Sequence, residues 1–238
     1  MIEKEYKTML NYEKYIRLLE VFHFEEALVQ VNLYYISKQD DNNTVRVRCK
    51  SGRIFLQVKI DCSIEKGIHI NREYEKEIEI IPYIITKEEL NNLCGVDFFE
   101  DRYLLDILVT ERRNYICEDN IISLDRNSYL GITDYELEIE YKNKIVEKIK
   151  KKLEQEKIYN EKNTRGKFKR FYARYNQKSL IREYGFQMKD ERKTRKLTEK
   201  LCSRDKIGNQ DAVLAVAKVK EEIREMQRKL QEHTIHIL

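Results

Sequence analysis

The chain has 238 residues, with 46 Lys and Arg against 42 Asp and Glu, a formal net charge of +4 and 37% charged residues. That charge load exceeds the roughly 25% of ordinary globular domains, and the mean hydropathy is −0.71. Yet 10% aromatic residues, 16 of them Tyr, exclude a disordered chain of low hydrophobicity. No run approaches the ~20 apolar residues of a membrane-spanning helix, and no basic-then-apolar leader precedes the first patterned segment. Cys49, Cys62, Cys94, Cys117 and Cys202 are scattered and form no C-x-x-C pair, which argues against a disulfide framework and a zinc site. A reduced cytoplasmic protein of one or two domains, with no membrane partner, is the expectation.

Residues 2–8 place Glu3, Glu5 and Lys7 at period two, on one face of a strand. Asn11 caps a predicted helix carrying Tyr15, Leu18, Leu19 and Phe22 at helical spacing. The run 28–36 alternates Gln30 and Asn32 against Val29, Val31 and Leu33, and the Asp40-Asp41-Asn42-Asn43 turn leads into 44–49, where Arg46 and Arg48 share a face. Ser51-Gly52 closes a hairpin into 54–60, with Gln57 and Lys59 on one face. Residues 70–80 alternate Glu73, Glu75, Glu77 and Glu79 with Tyr74, Ile78 and Ile80. The box Thr86-x-x-Glu89 opens a second helix that Gly95 ends. Strands are predicted again at 103–116, 121–125 and 134–141, then a helix from Lys144 to about Tyr159. The four histidines read as surface or capping residues, the cysteines as small apolar residues, and the tyrosines as wall and outer-core residues.

Nearly every strand carries a charged face, acidic on some strands and basic on others. If all of these faces met solvent, the opposite apolar faces would need more cover than two or three helices supply. A closed barrel resolves the conflict, with charge lining a wet lumen and apolar residues outside. Carboxylates in such a lumen suit Mg²⁺ or Mn²⁺ through oxygen ligands, and the cations suit a polyanion. Metal, basic clamp and water together are what phosphoryl transfer requires.

Glu3-Lys-Glu5-Tyr-Lys7 resembles the ExExK signature of the CYTH, or triphosphate tunnel metalloenzyme, superfamily. The resemblance continues in order through Gln30-Val-Asn-Leu-Tyr-Tyr, Arg46-Val-Arg48, Lys59, Thr110-Glu-Arg112, Leu124-Asp125 with Tyr129 and Gly131, Asp134-Tyr-Glu-Leu-Glu-Ile-Glu140, and Lys167-x-x-Arg170-Phe171. It is strongest to the short CYTH proteins of Gram-positive bacteria. It implies an α+β fold: an eight-stranded antiparallel β-barrel, or tunnel, with peripheral helices. That tunnel domain occupies 1–176, and a basic helical C-terminal extension follows over 177–238.

The resemblance also implies metal-dependent hydrolysis of a triphosphate. Inorganic triphosphate (tripolyphosphate) is the leading substrate; class IV adenylate cyclase action on ATP, and thiamine triphosphate hydrolysis, are the alternatives. A non-catalytic module holding polyphosphate or an RNA 5′-triphosphate is a further one. Under the resemblance Glu3, Glu5, Asp125, Glu136 and Glu138 become metal-side acids, with Glu140 a substitute in a shifted register. Glu3, Glu5 and Lys7 form the catalytic signature. Lys7, Arg46, Arg48, Lys59, Glu73, Arg112, Lys167 and Arg170 line the substrate. Asn71 stands where the family commonly has a basic residue, Glu75 competes with Glu73 by parity, and Arg113 could replace Arg112.

The tail lies outside the resemblance. Residues 177–206 are basic, and Val216, Val219, Ile223, Met226 and Leu230 form a two-heptad seam within 211–232. A solvated helix is the plainer reading of the basic segment and nucleic-acid docking the alternative. The seam could join two chains in a homodimer or pack on the barrel.

Overall fold

The computed structural model describes residues 2–37, 43–159 and 162–178. The Asp40–Asn42 part of the expected turn, the basic segment beyond Lys178 and the heptad seam lie outside the described residues. In chain order the elements are β1 (Ile2–Leu10), α1 (Tyr12–Val21), β2 (Leu28–Ile36), β3 (Asn43–Lys50), β4 (Arg53–Glu65), β5 (Ile68–Ile78), β6 (Ile84–Ile85), α2 (Lys87–Cys94), β7 (Arg102–Cys117), β8 (Asn120–Tyr129), β9 (Ile132–Tyr141), α3 (Glu147–Gln155) and α4 (Lys167–Lys178). No helix among the described residues is long and apolar enough to cross a membrane.

The sheet runs β2-β3-β4-β5-β1-β9-β8-β7, and β7 pairs back onto β2. Eight antiparallel strands therefore close a barrel and leave no free edge. The two-residue β6 is an appendix on β7. Tight hairpins set the register: Ser51-Gly52, Lys66-Gly67 and Leu130-Gly131 all have positive φ at both central residues, as a type I′ turn demands.

The sequence-predicted elements are present with shifted ends. The strand expected at 54–60 runs on to Glu65, because a bulge between Asp61 and Ser63 lets it stay paired with β5. The strand expected at 70–80 begins at Ile68, and the helix expected from Lys144 to about Tyr159 is confined to Glu147–Gln155. Asn11 caps α1 by accepting from the Lys14 amide, and the Thr86–Glu89 box caps α2, which ends at a left-handed Gly95.

The apolar residues lie outside the ring. Val31, Leu33, Val45, Val47, Leu56 and Val58 pack under α2 through Leu90. Tyr6, Ile122, Leu124, Leu137 and Ile139 pack under α1 and α3 through Leu18, Phe22, Ile149 and Leu153. A third cluster sets Phe171 of α4 against Tyr34, Leu105, Leu108 and Tyr129. It seats α4 across the end of the barrel where β2 finishes and β9 starts; among the described residues, no helix residue lines the cavity at the opposite end, by Leu28 and Lys50.

Candidate active site

A cavity of about 460 Å³ occupies the lumen. Strand parity dictates its lining: Glu3, Glu5 and Lys7 from β1, Arg46, Arg48 and Lys50 from β3, Lys59 from β4, Glu73 and Glu75 from β5, Arg112 from β7, Glu138 and Glu140 from β9, and Lys167 from α4. The sequence alternatives resolve here. Arg112 faces the lumen, whereas Arg113 turns out towards Glu111 and Tyr15. Asn71 faces inward, donating to Glu5 Oε1 at 3.0 Å, and Arg72 is exposed. Glu136, Glu138 and Glu140 share one inward face, so no shifted register is needed to bring Glu140 in. His69 corrects the expectation of surface histidines. It is 4% exposed and lines the lumen, because β5 starts two residues before the predicted strand and gives His69 the parity of Asn71 and Glu73.

The acids form two groups, each with three carboxylate oxygens within 4.8 Å of one another: Glu3, Glu5 and Glu140, and Asp125, Glu136 and Glu138. The second group is already neutralised by the protein. Lys167 Nζ sits 2.7 Å from Asp125 and 2.9 Å from Glu138 and also contacts Glu136. Arg112 forks onto Asp125 at 2.8 and 2.6 Å and reaches Glu138, while Arg170 binds Glu136 at 2.9 Å. Burial opposes ionisation of Glu136, yet Lys167 and Arg170 bring it down to about 2. Burial likewise opposes ionisation of Glu138, which Lys167, Lys7 and Arg112 hold well below the usual carboxylate range.

The first group is under-neutralised. Lys59 donates to Glu3 and Glu5 at 2.6 Å each, and Lys7 lies 3.0 Å from Glu5. Against burial, those two lysines hold Glu5 below its ordinary value. Glu3 is driven up to about 7 by burial and then by Glu5, with Lys59 opposing. Burial, followed by Glu138 and Glu5, also raises Glu140 against the pull of Arg112; Arg112 approaches Glu140 only to 4.0 Å. Three convergent oxygens, two of them on acids reluctant to ionise, form a hard donor set that fits Mg²⁺ or Mn²⁺.

The cations divide as well. Lys7, Lys59, Arg112, Lys167 and Arg170 are all ion-paired. Arg46 and Arg48 instead have their Nε atoms tied to neutral amides, Gln57 Oε1 at 2.7 Å and Asn32 Oδ1 at 2.8 Å. Those bonds fix the guanidinium planes and leave their outer N–H groups for a ligand. Burial, then Arg46 and Arg112, pull Arg48 down to about 9, the response of a cation among cations. In the eight-strand ring β3 lies four strands from β9 in either direction, so the arginine row faces the acid group at Glu140.

The K-x-x-R-F segment places two more residues that the sequence pointed towards substrate. Lys167 and Arg170 are spent on the buried acids, and Arg170 also forks onto Asp134 at 2.9 and 3.3 Å. Tyr129 donates to the same Asp134 carboxylate at 2.6 Å. These contacts anchor α4, a helix not among the elements expected from the residue pattern. Tyr34 meets the Phe168 and Phe171 rings of α4 at tilted angles, with 5.1 Å between centroids in each pair.

Solved structures share this architecture. A Bacillus halodurans protein described as an adenylate cyclase candidate is 21% identical, with a TM-score of 0.50 over 71% of this chain and 96% of its own. HpAC1 from Hippeastrum, an adenylyl cyclase candidate described as having a dominant triphosphatase activity, is 21% identical, with a TM-score of 0.55 over 76% of this chain and 99% of its own. No curated protein sequence matches the chain. At these identities the likeness speaks for the fold. The sequence profile of the CYTH domain, however, matches residues 1–172, the stretch that builds the barrel and brings α4 across its end, and the chain belongs to the CYTH domain family.

Proposed function

We propose that the protein hydrolyses a triphosphate, inorganic triphosphate first, with Mg²⁺ or Mn²⁺ in the lumen. The observation that carries this reading is the facing of two incompletely neutralised charge groups. Arg46 and Arg48, whose Nε atoms are held by neutral amides and whose charge is met by Glu73, lie opposite Glu3, Glu5 and Glu140, of which Glu3 and Glu5 share Lys59 and Glu3 is raised. Family membership and the triphosphatase activity described for HpAC1 support it.

In this scheme Glu3, Glu5 and Glu140 hold the ion, while Asp125, Glu136 and Glu138 remain with Lys167 and Arg170. The ion offsets phosphate charge and polarises water. Arg46 and Arg48 bind non-bridging phosphoryl oxygens through their free N–H groups, with Gln57 and Asn32 fixing their direction. Lys7 and Lys59 stay protonated, since the neighbouring acids raise both above the ordinary lysine value against burial, and they offset charge on the leaving diphosphate. A water oxygen bonds to the terminal phosphorus, and the bond from that phosphorus to the bridging oxygen breaks. Orthophosphate and diphosphate are released. The seat of α4 across one end lets the chain enter from the other, so the terminal phosphoryl group is the one presented.

The test is to incubate the full chain with Mg²⁺ or Mn²⁺ and tripolyphosphate, ATP or thiamine triphosphate, scoring phosphate and cyclic AMP. Phosphate from tripolyphosphate that vanishes in Glu3→Gln and Arg48→Ala is the expected result. Cyclic AMP as main product, or triphosphate bound but never cleaved, overturns it.

A further inference from the structure

Asn71 lines the lumen from β5 and is 1% exposed. In the β1–β5 ladder it stands directly opposite Glu3, which sets the two Cβ atoms about 5 Å apart on one face. Its Nδ2 donates to Glu5 Oε1 at 3.0 Å, so the carboxamide sits against two of the three acids that converge with Glu140. Its oxygen, Oδ1, is buried with no hydrogen-bond partner. The orientation of the amide follows from Glu5. Against burial, Lys7 and Lys59 hold that carboxyl below its ordinary value, and an ionised carboxylate only accepts. The NH₂ group must face it, which leaves the oxygen free. With about 2.3 Å between N and O of an amide, Oδ1 lies no more than about 5.3 Å from Glu5 Oε1. A carbonyl oxygen among acids repels a phosphoryl oxygen and attracts a cation. Lys59 is not that cation, because its three N–H donors are matched by Glu3, Glu5 and Glu73.

We infer that Asn71 Oδ1 is a fourth protein ligand of the ion held by Glu3, Glu5 and Glu140, and that this oxygen set takes Mn²⁺ in preference to Mg²⁺ before any anion arrives. The inference rests on the metal reading above and assigns the selectivity of that site. Mg²⁺ gives up water reluctantly, and on proteins it usually keeps several waters and uses one or two carboxylates. A neutral oxygen beside three carboxylates asks it to lose more. Mn²⁺ takes the same carboxylate and carbonyl donors and, being larger, sheds water more readily. The amide also enlarges the donor set without adding charge to a group in which Glu3 and Glu140 already resist ionisation.

Titration of the full, anion-free chain with Mn²⁺, read by electron paramagnetic resonance, tests this without turnover. The wild type should bind Mn²⁺ at least about tenfold more tightly than Mg²⁺, with Mg²⁺ measured by competition. Asn71→Leu should weaken Mn²⁺ about 10- to 100-fold and Mg²⁺ by no more than about threefold. It should also admit one more water to the bound Mn²⁺, counted by line broadening in ¹⁷O-enriched water. Asn71→Asp keeps an oxygen while losing the donor to Glu5, and should hold Mn²⁺ at least as tightly as the wild type at about pH 8. Equal wild-type affinity for the two ions overturns the inference, as does an unchanged water count in Asn71→Leu. So do equal losses in Asn71→Leu and Asn71→Asp, because the amide would then act only by holding Glu5. Mn²⁺ affinity that Glu3→Gln leaves untouched removes the metal reading itself, and this ligand with it.

Discussion

The crowding of Glu3 with Glu5 and Glu140 has a thermodynamic signature that needs no substrate. The Glu3 carboxyl moves from 4.5 to about 7 on folding. Between those values the folded chain retains a proton that the unfolded chain has released, so folding stability falls as pH rises through the window. The loss is complete above the folded value and amounts to about 3 kcal/mol at most, at about 1.4 kcal/mol per pH unit. Glu140, raised mainly by burial, adds in the same direction. His69, lowered by burial and then by Lys7, acts oppositely: its contribution rises with pH.

The contrast with Glu3→Gln isolates the acid. Urea unfolding of both proteins in a chelator, from about pH 4.5 to pH 8, should show the wild type losing stability relative to the variant as pH rises. Saturating Mg²⁺ should remove the wild-type penalty and do less for Glu3→Gln, since the ion replaces the missing counter-charge. A wild-type minus variant difference that stays flat across the window, or that Mg²⁺ leaves unchanged, refutes the reasoning.

Three further outcomes follow from the same charges and contacts. Lys167→Met leaves Asp125, Glu136 and Glu138 without their central ammonium, so unfolding at neutral pH should show a loss of about 3 to 5 kcal/mol, partly recovered as pH falls and the acids take up protons. Arg48→Ala should weaken tripolyphosphate binding by about 10- to 100-fold in calorimetry, yet the anion-free protein should melt at least as high as wild type, because a half-buried cation crowded by Arg46 and Arg112 has been removed. Phe171→Ala, which empties the centre of the cluster holding α4, should cost about 3 to 5 kcal/mol in denaturant, and hydrogen exchange should rise first in α4.

Strand parity made much of the lumen legible. Glu3, Glu5 and Lys7, or Arg46 and Arg48, can face together only on a strand, and the structure sets both groups inward. Bulges are invisible to the same logic. The register shifts between Asp61 and Ser63 on β4 and at Tyr34–Tyr35 against β7, so alternation read across either point goes wrong by one. The expected strand ended just before the first of these. His69 was missed through a boundary, since its lumen face follows only once β5 starts at Ile68. Lys167, Arg170 and Phe171 were singled out by the K-x-x-R-F resemblance, the two cations as groups lining the substrate; the pairing of Lys167 and Arg170 with Glu136, which is distant in sequence, is a contact that only the fold supplies. Which acids meet a cation and which stay crowded is a matter of distances around a ring, and no linear spacing encodes those.

That partition bears on how the tunnel loads. Lys7, Arg112, Lys167 and Arg170 neutralise the Asp125, Glu136 and Glu138 group inside the folded chain, while Lys59 is shared by Glu3, Glu5 and Glu73, which preorganises the walls. What is left only partly compensated is a cation row on β3 and the Glu3, Glu5 and Glu140 group on the opposite wall. Polyanion binding alone brings negative charge towards acids that already resist ionisation, and a divalent cation alone adds positive charge facing Arg46 and Arg48. Each ligand therefore relieves the repulsion that the other meets, and the coupling is reciprocal by linkage. The lumen is built to take a metal and a polyphosphate together, which explains how a chain with a net charge of only +4 can present strong fields of both signs in one cavity.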